Sequence, residues 1–405
     1  ERHYKHVVPV FGNGLITMPL QQWRKHRKVI GLTFNQQILN SFVDIFANYS
    51  NNLVEKLEGN LGKGCVDMFP VMSQCTLDTV CATTLGTEVN AMKQGSQYIL
   101  WTSRASELGI LRLVNIYLHP NFIWRLTSMS KEVDLISEKI NHYVEMAKRL
   151  SKYQLENSSE STTDNEISKK KIFLDHLIDL IDKDSEWSNK ELIDETRTLI
   201  VAGSDATALS VCYVLMMLGM HQKIQNLVLE EVDSIGSNSR DITIQDLPKM
   251  TYLENVIKET LRLFPAAPLI GRHLDRNVTL KNHILPAGTG VAIPILFLHR
   301  DPDLWNDPLT FDPDRFLPEE VAKRHRYSYV PFSGGPRNCI GERKLDKLGF
   351  RYAMMAMKII LSTILRHYRV VSTEYKSVSE IKLKFDVATK CVGGQKVELE
   401  KRFYC

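Results

Sequence analysis

The stretch Pro331-Phe332-Ser333-Gly334-Gly335-Pro336-Arg337-Asn338-Cys339-Ile340-Gly341 constrains this chain more than any other. Glycines and prolines crowd in front of a single cysteine, and an apolar helical pattern follows. Glycine accepts φ > 0 and lets the backbone pass close to a flat ligand. A cysteine between such a loop and a helix start lies among backbone N–H groups, at the positive end of the helix dipole. Both stabilise a thiolate. A thiolate so held can ligate iron. A lone FxxG would read as a turn with an ordinary cysteine, but Phe332, Gly335, Arg337, Cys339 and Gly341 together complete FxxGxRxCxG.

The chain of 405 residues is long enough for one large domain or two ordinary ones. At 43% hydrophobic and 24% charged it reads as globular, not disordered. A net charge of +4 is too small to argue for nucleic acid, and none is expected as a partner. The seven cysteines (Cys65, Cys75, Cys81, Cys212, Cys339, Cys391, Cys405) are odd in number and form no CxxC pair. Neither a disulfide framework nor a zinc site is expected; most cysteines read as small buried hydrophobes in a reducing compartment. No uninterrupted apolar run reaches the length of about 18 residues that a membrane span needs.

Taken in order, residues 21–47 read as two helices. Trp23 and Arg27 are one turn apart on the first. An indole N–H beside a guanidinium suits a carboxylate, although a run such as Trp23-Arg24-Lys25-His26-Arg27-Lys28 also describes a solvated basic helix. Residues 66–86 read as a core helix and 91–150 as amphipathic helices. The polar run 151–171 reads as an exposed internal loop, not a domain boundary. Ser188-Asn189-Lys190-Glu191 is a capping box for a long helix that reaches about Met220. Inside it, Ala202-Gly203-Ser204-Asp205-Ala206-Thr207 places a glycine and small polar residues where they cost helix stability. Such a run marks either a site that needs room for a ligand or a kink. Residues 252–264 form another helix with Glu259 and Arg262 on one face; alone, that pair is a weak signal. Short β-signals follow at Leu269-Ile270, Val278 to Leu280, Ile284 and Val291 to Ile293, with Pro286-Ala287-Gly288 as punctuation. A Met-rich helix from about Arg351 to Arg366 and strand-like tails near Ile381 to Phe385 and Lys396 to Leu399 close the chain.

Taken together these motifs resemble the cytochromes P-450, the haem-thiolate monooxygenases. FxxGxRxCxG carries the resemblance. WxxxR at Trp23 and Arg27, ExxR at Glu259 and Arg262, and PxxFxPxRF at Pro308 to Phe316 add to it. Leu77-Asp78-Thr79-Val80-Cys81 with Thr83 and Gly86 resembles the LDxxCxTxxG segment of the family-four branch, common in insects. The resemblance implies a mainly α fold with a small β region, a helical triangular prism with short sheets, in one domain over 1–405. It implies haem b held by the Cys339 thiolate beside Phe332, with propionates at Trp23, Arg27, Arg272 and Arg337. Glu259, Arg262 and Arg315 would form a structural network. Ala202, Ala266, Ala267, Leu269 and Ile270 would line the pocket for a small apolar substrate. Asp205 and Thr207 would serve proton delivery. An NADPH-dependent reductase would dock on the basic face of Arg24, Lys25 and Lys28. The family's setting is the cytosolic face of the endoplasmic reticulum membrane. The chain starts at Glu1 without an initiator methionine, so the anchor and first elements are expected to lie outside these residues.

The chain departs from the pattern at three places. Ala206 stands where the relay threonine of AGxDTT is expected. This keeps open a haem-thiolate peroxide isomerase or dehydratase that needs no reductase. The first elements expected to lie outside these residues, and the apparent insertion at 343–350, keep open an inactive haem- or lipid-binding relative. Ala202 stands where many family-four members carry a glutamate esterified to haem, so no covalent link is expected. Finally, residues 343–350 read as an insertion, since their removal would join Glu342 to a family-like run from Arg351. If all eight residues were helical, the downstream face would turn by roughly 80°. The insertion is therefore expected to be looped out or disruptive, with Gly349 at its end.

Overall fold

The structure, a computed structural model, describes residues 2–158, 172–184, 187–236, 240–339, 348–384 and 386–403. Its axis is the helix Asn189–Met220. The Ser188 hydroxyl accepts from the Glu191 amide at 3.2 Å, and the Glu191 carboxylate accepts from the Ser188 amide at 2.8 Å. That is the capping box read from the sequence. From Thr207 to Gly219 every residue is buried. A helix that is apolar all round must be covered all round. The helices Phe69–Leu85, Leu348–His367 and Thr251–Leu263 and the strand Tyr368–Thr373 provide the cover. By length and hydropathy this helix could cross a membrane, yet 72% of its apolar window is buried inside the protein.

The helix Phe69–Leu85 carries the LDxxCxTxxG residues, and each has a local task. Both Asp78 oxygens accept backbone N–H groups, from Ala91 at 2.7 Å and Met92 at 2.9 Å, and so cap the next helix. The Thr83 hydroxyl meets the Tyr352 hydroxyl at 2.9 Å. Gly86 ends the helix at φ 63°, the left-handed conformation that glycine adopts without strain.

Among the described residues four small antiparallel sheets accompany these helices. Val66–Asp67, Lys396–Lys401 and Tyr368–Thr373 form one, with Lys396–Lys401 in the middle and Val66 opposite Val397. Ile270–His273 pairs with Gly290–Ile293, Val278–Leu280 with His283–Leu285, and Leu383–Lys384 with Lys390–Cys391.

Several boundaries differ from the sequence reading. The helix Ser128–Ser158 continues through 151–158, where a loop was expected; 159–171 lie outside the described residues. The strand Tyr368–Thr373 had no counterpart in that reading, although Val370 and Val371 are the β-branched signal for it. Of the apparent insertion, 343–347 lie outside the described residues. Leu348, Gly349 and Phe350 form the first turn of the helix Leu348–His367, so they are not looped out and Gly349 lies within the helix. Further along, Met354, Met357, Ile360, Leu361, Ile364 and Leu365 are buried, so the helix body keeps its core face.

A buried ionic network fixes the segment that leads to the cysteine loop. Glu259 and Arg262 are both fully buried and joined by two bonds, Nε to Oε2 and Nη2 to Oε1, each 2.7 Å. Arg262 also donates to the carbonyls of His299, Pro308 and Thr310 at 2.8, 2.7 and 3.1 Å. The Asp312 amide donates to Glu259 at 3.0 Å, and Arg315 approaches the same carboxylate at 3.6 Å without bonding to it. His299 continues the chain of contacts. Burial and the nearby Arg262 push its pKa down to about 3, so the ring is neutral and its Nε2 accepts from the Val330 amide at 2.8 Å. Val330 is two residues from Phe332. Removing one partner of such a pair leaves a buried, uncompensated charge. Glu259→Ala should therefore cost about 3–5 kcal/mol in urea unfolding, with little recovery in a Glu259→Ala, Arg262→Lys double variant, because lysine cannot reach the three carbonyls as a fork. A loss below about 1 kcal/mol would place the weight of this segment elsewhere.

Candidate active site

The cysteine loop is closed at its neck by the Cys339 amide, which donates to the Phe332 carbonyl at 2.9 Å. Between them the backbone turns at Ser333, φ 68°, and Gly335, φ 79°. The Phe332 ring stands edge-on to Phe350 at 5.3 Å, which ties the loop to the helix that follows. The Cys339 side chain is exposed, unlike Cys75, Cys81, Cys212 and Cys391, which are buried.

Residues from two distant parts of the chain surround this loop, and one residue of the loop reaches back to a third segment. The helix Leu20–Thr33 supplies Trp23, which is buried, and Arg27, whose Nη2 donates to the Cys339 carbonyl at 2.8 Å and to Asn338 Oδ1 at 3.0 Å. Strand Ile270–His273 supplies Arg272, which donates to Ser333 Oγ at 2.8 Å and the Gly334 carbonyl at 3.3 Å. Arg337, on the loop itself, donates back to the Met18 carbonyl at 3.0 Å. The guanidiniums of Arg337 and Arg27 lie 5.2 and 5.8 Å from the Trp23 ring centre, one indole between two cations. One accessible thiol, an indole N–H and three guanidiniums around a Gly-rich loop form a donor set that fits an iron porphyrin with two carboxylates. Arg24, Lys25 and Lys28 on the same helix as Trp23 and Arg27 are exposed.

On the long helix the motif residues divide between faces. Gly203 and Thr207 lie one turn apart and face the core, where they line a cavity of about 10 Å³ with Thr76, Thr79, Val80 and Tyr352. A Cβ on Gly203 would come within 3.1 Å of Val80, so glycine allows the two helices to touch. Ala202 and Ala206 form a neighbouring, half-buried stripe. Thr207 is therefore turned about 100° from Ala206, toward the helix Phe69–Leu85. Asp205 is half-buried. Desolvation raises its pKa above the usual carboxylate range; Lys390 opposes that rise and Asp386 adds to it.

Lys390 and Asp386 belong to the C-terminal turn, and they face each other at 3.4 Å. The Thr389 amide of that turn donates to the Ala266 carbonyl at 3.1 Å, and the Tyr213 hydroxyl, from the long helix, donates to the Thr389 carbonyl at 3.1 Å. The turn thus joins Asp205 to the segment Ala266, Ala267, Leu269 and Ile270. Within it Ala267 and Leu269 are exposed, and Ile270 is half-buried opposite Ile293. The sequence reading missed this turn, and it also missed His26, Glu195 and His299. His26 was visible only as part of a basic run, and Glu195 and His299 carry no local signal at all.

Comparison with known proteins gives the family and the fold. The family model for cytochrome P450 matches residues 1–394. Cytochrome P450 4c21 of Blattella germanica is 36% identical over 92% of this chain and 74% of its own length. Cytochrome P450 4V2 of Homo sapiens is 33% identical over 98% of this chain and 76% of its own length. The solved heme domain of a mutant cytochrome P450DA covers 99% of this chain and 82% of its own at a TM-score of 0.79; at 19% identity that likeness concerns the fold alone. A cysteine loop gripped by three arginines, the family-four segment on a core helix and a family match along nearly the whole chain lead to one conclusion: the protein belongs to the cytochrome P450 family of monooxygenases.

Proposed function

We propose that Cys339 is the axial ligand of a non-covalently bound haem b. The enzyme then inserts one oxygen atom from O₂ into a small apolar substrate, of the fatty acid, hormone or xenobiotic class, with NADPH electrons delivered by a reductase. The observation that carries this reading is the gathering of Trp23, Arg27, Arg272 and Arg337 around the loop that presents Cys339. When bound, a thiolate-ligated haem supplies oxygen activation, because the thiolate favours O–O cleavage.

The chain's own residues then have distinct tasks. The indole N–H of Trp23 and the three guanidiniums offset two propionates that would be costly to bury unpaired. Ala202 offers no carboxylate, so nothing there can form an ester to the cofactor. Ala202, Ala266, Ala267, Leu269 and Ile270 give the pocket small and apolar walls. Asp205, whose burial favours the protonated form, can hold and pass a proton at its carboxyl. Thr207 lines a cavity with room for about one water. The Glu259, Arg262 and Arg315 network is structural and keeps the cysteine loop in place. Exposed Arg24, Lys25 and Lys28 give the outer face a positive surface that suits an acidic donor. Exposed Ile116, Tyr117, Phe122 and Leu126 crowd onto one connection, which supports contact with a membrane, here assigned to the cytosolic face of the endoplasmic reticulum.

A second reading, a peroxide isomerase or dehydratase without a reductase, is favoured by one residue, Ala206 at the relay position. NADPH-dependent turnover with reductase, set against turnover of an organic hydroperoxide alone, separates the two.

Cys339→Ala should abolish the reduced carbon-monoxide band typical of a thiolate ligand, whereas Cys65→Ala and Cys391→Ala should keep it. A retained band in Cys339→Ala would falsify the ligand assignment. Ala206→Thr restores a hydroxyl on the half-buried stripe and should raise product formed per NADPH consumed; an unchanged yield would mean that proton delivery already bypasses this position. For the docking face, a Lys25→Glu, Lys28→Glu variant should raise the reductase Kd roughly tenfold at low salt and converge on the parent at high salt. Equal affinity at low salt would move the dock elsewhere.

A further inference from the structure

The N-terminal half of the long helix carries a buried carboxylate that proton delivery does not use. Glu195 is 0% exposed. Its Oε1 meets His26 Nδ1 at 2.8 Å, and its Oε2 accepts the Leu15 amide at 3.0 Å. His26 is itself buried. Its Nε2 faces Glu191 at 3.6 Å, and its ring stacks on Trp187 with centroids 3.8 Å apart. The opposite side of Glu195 is equally tight. A Cβ on Gly14 would fall 2.8 Å from Glu195 Oε2 and 2.2 Å from Thr198 Oγ1, so only glycine lets the 12–18 segment lie against the helix here. Thr198 Oγ1 in turn donates to the Phe11 carbonyl at 2.5 Å.

The two elements that Glu195 holds are two of those that grip the cysteine loop. His26 lies on the helix between Trp23 and Arg27, and Arg27 reaches the Cys339 carbonyl. Leu15 lies in the segment whose carbonyls receive Arg337, at Met18 with 3.0 Å and at Leu15 itself with 3.5 Å. The contacts form a closed ring: Glu195, His26, the Trp23 helix, the cysteine loop, Arg337, the 12–18 segment, and back to Glu195. The geometry points to Glu195, with His26, as a positioning residue that sets the Trp23–Arg27 helix and the segment that receives Arg337 against the long helix. This rests on the haem reading above. It assigns that reading a structural keystone more than 140 residues from the ligand in sequence.

The ring makes the outcome specific. In full-length holoprotein, haem transfer to excess apomyoglobin should be roughly tenfold faster or more in Glu195→Ala and in His26→Ala. The double variant should be little faster than either single, because each change opens the same ring. Glu195→Gln keeps the shape and one acceptor, and should remain within about threefold of the parent. Hydrogen exchange should quicken in peptides covering 12–33 and stay unchanged over 251–263. A core variant far from the ring, Val232→Ala, chosen for a similar drop in melting temperature, should release haem at the parent's rate. The proposal is overturned if Glu195→Ala releases haem at the parent's rate, if its effect equals that of Val232→Ala at matched stability, or if the two single effects multiply in the double variant. Should Glu195→Ala fail to fold, His26→Ala against Glu195→Gln decides by the same measures. A parent that lacks the thiolate band would instead refute the haem reading.

Discussion

The buried fork between Arg262 and Glu259 ties the path into the cysteine loop to the helical core. A guanidinium offers five N–H donors in a fixed plane. Two are taken by Glu259, and the carbonyls of His299, Pro308 and Thr310 occupy the others. Those carbonyls come from a stretch with almost no regular structure. The fork holds this stretch against the helix Thr251–Leu263, helped by Arg300 donating to the Leu263 carbonyl and the Tyr329 hydroxyl donating to the Lys258 carbonyl. Neutral His299 then carries the restraint on to Val330, and so to the mouth of the cysteine loop. A buried ion pair is weak evidence for net stability, but it is a strong way to select one arrangement of an irregular chain.

The loop that results has two anchorages of different kinds. The Glu259 network positions its entry, and the Glu195 ring positions Arg27, Arg337 and the indole around its tip. Both use carboxylates that burial would otherwise disfavour; the pKa of each is raised by desolvation, and each is drawn back by a cationic or hydrogen-bonding partner. Between them runs the long helix, whose middle gives up helix-forming residues. Gly203 lets the helix Phe69–Leu85 approach, and the stripe of Ala202 and Ala206 keeps the neighbouring face small.

The division of the AGSDAT run between faces bears on chemistry. Asp205 and Thr207 are two residues apart, so their side chains leave the helix about 200° from each other. Asp205 looks toward the charged C-terminal turn, whereas Thr207 looks into the core beside Tyr352. A relay that uses both cannot be a direct contact and must cross the helix, and Ala206 contributes no hydroxyl between them.

Most elements and the motif residues were legible in the sequence. The capping box at Ser188, the long apolar helix, the helix with Glu259 and Arg262 and the glycine loop around Cys339 all depend on neighbours within a turn or two, and periodicity and spacing record such relations directly. How those pieces meet was not legible there. That His26 pairs with Glu195 across 169 positions, that His299 supports Val330, and that the turn at Asp386 to Lys390 stands beside Asp205 are consequences of packing. The helical turn at Leu348 to Phe350 belongs with them: read locally it is an interruption, but Phe350 finds Phe332 and the apolar face beyond it finds the core. The physical reason is the same in each case. A buried polar or aromatic side chain is stabilised by a partner brought from elsewhere in the chain, and no local pattern specifies which partner arrives.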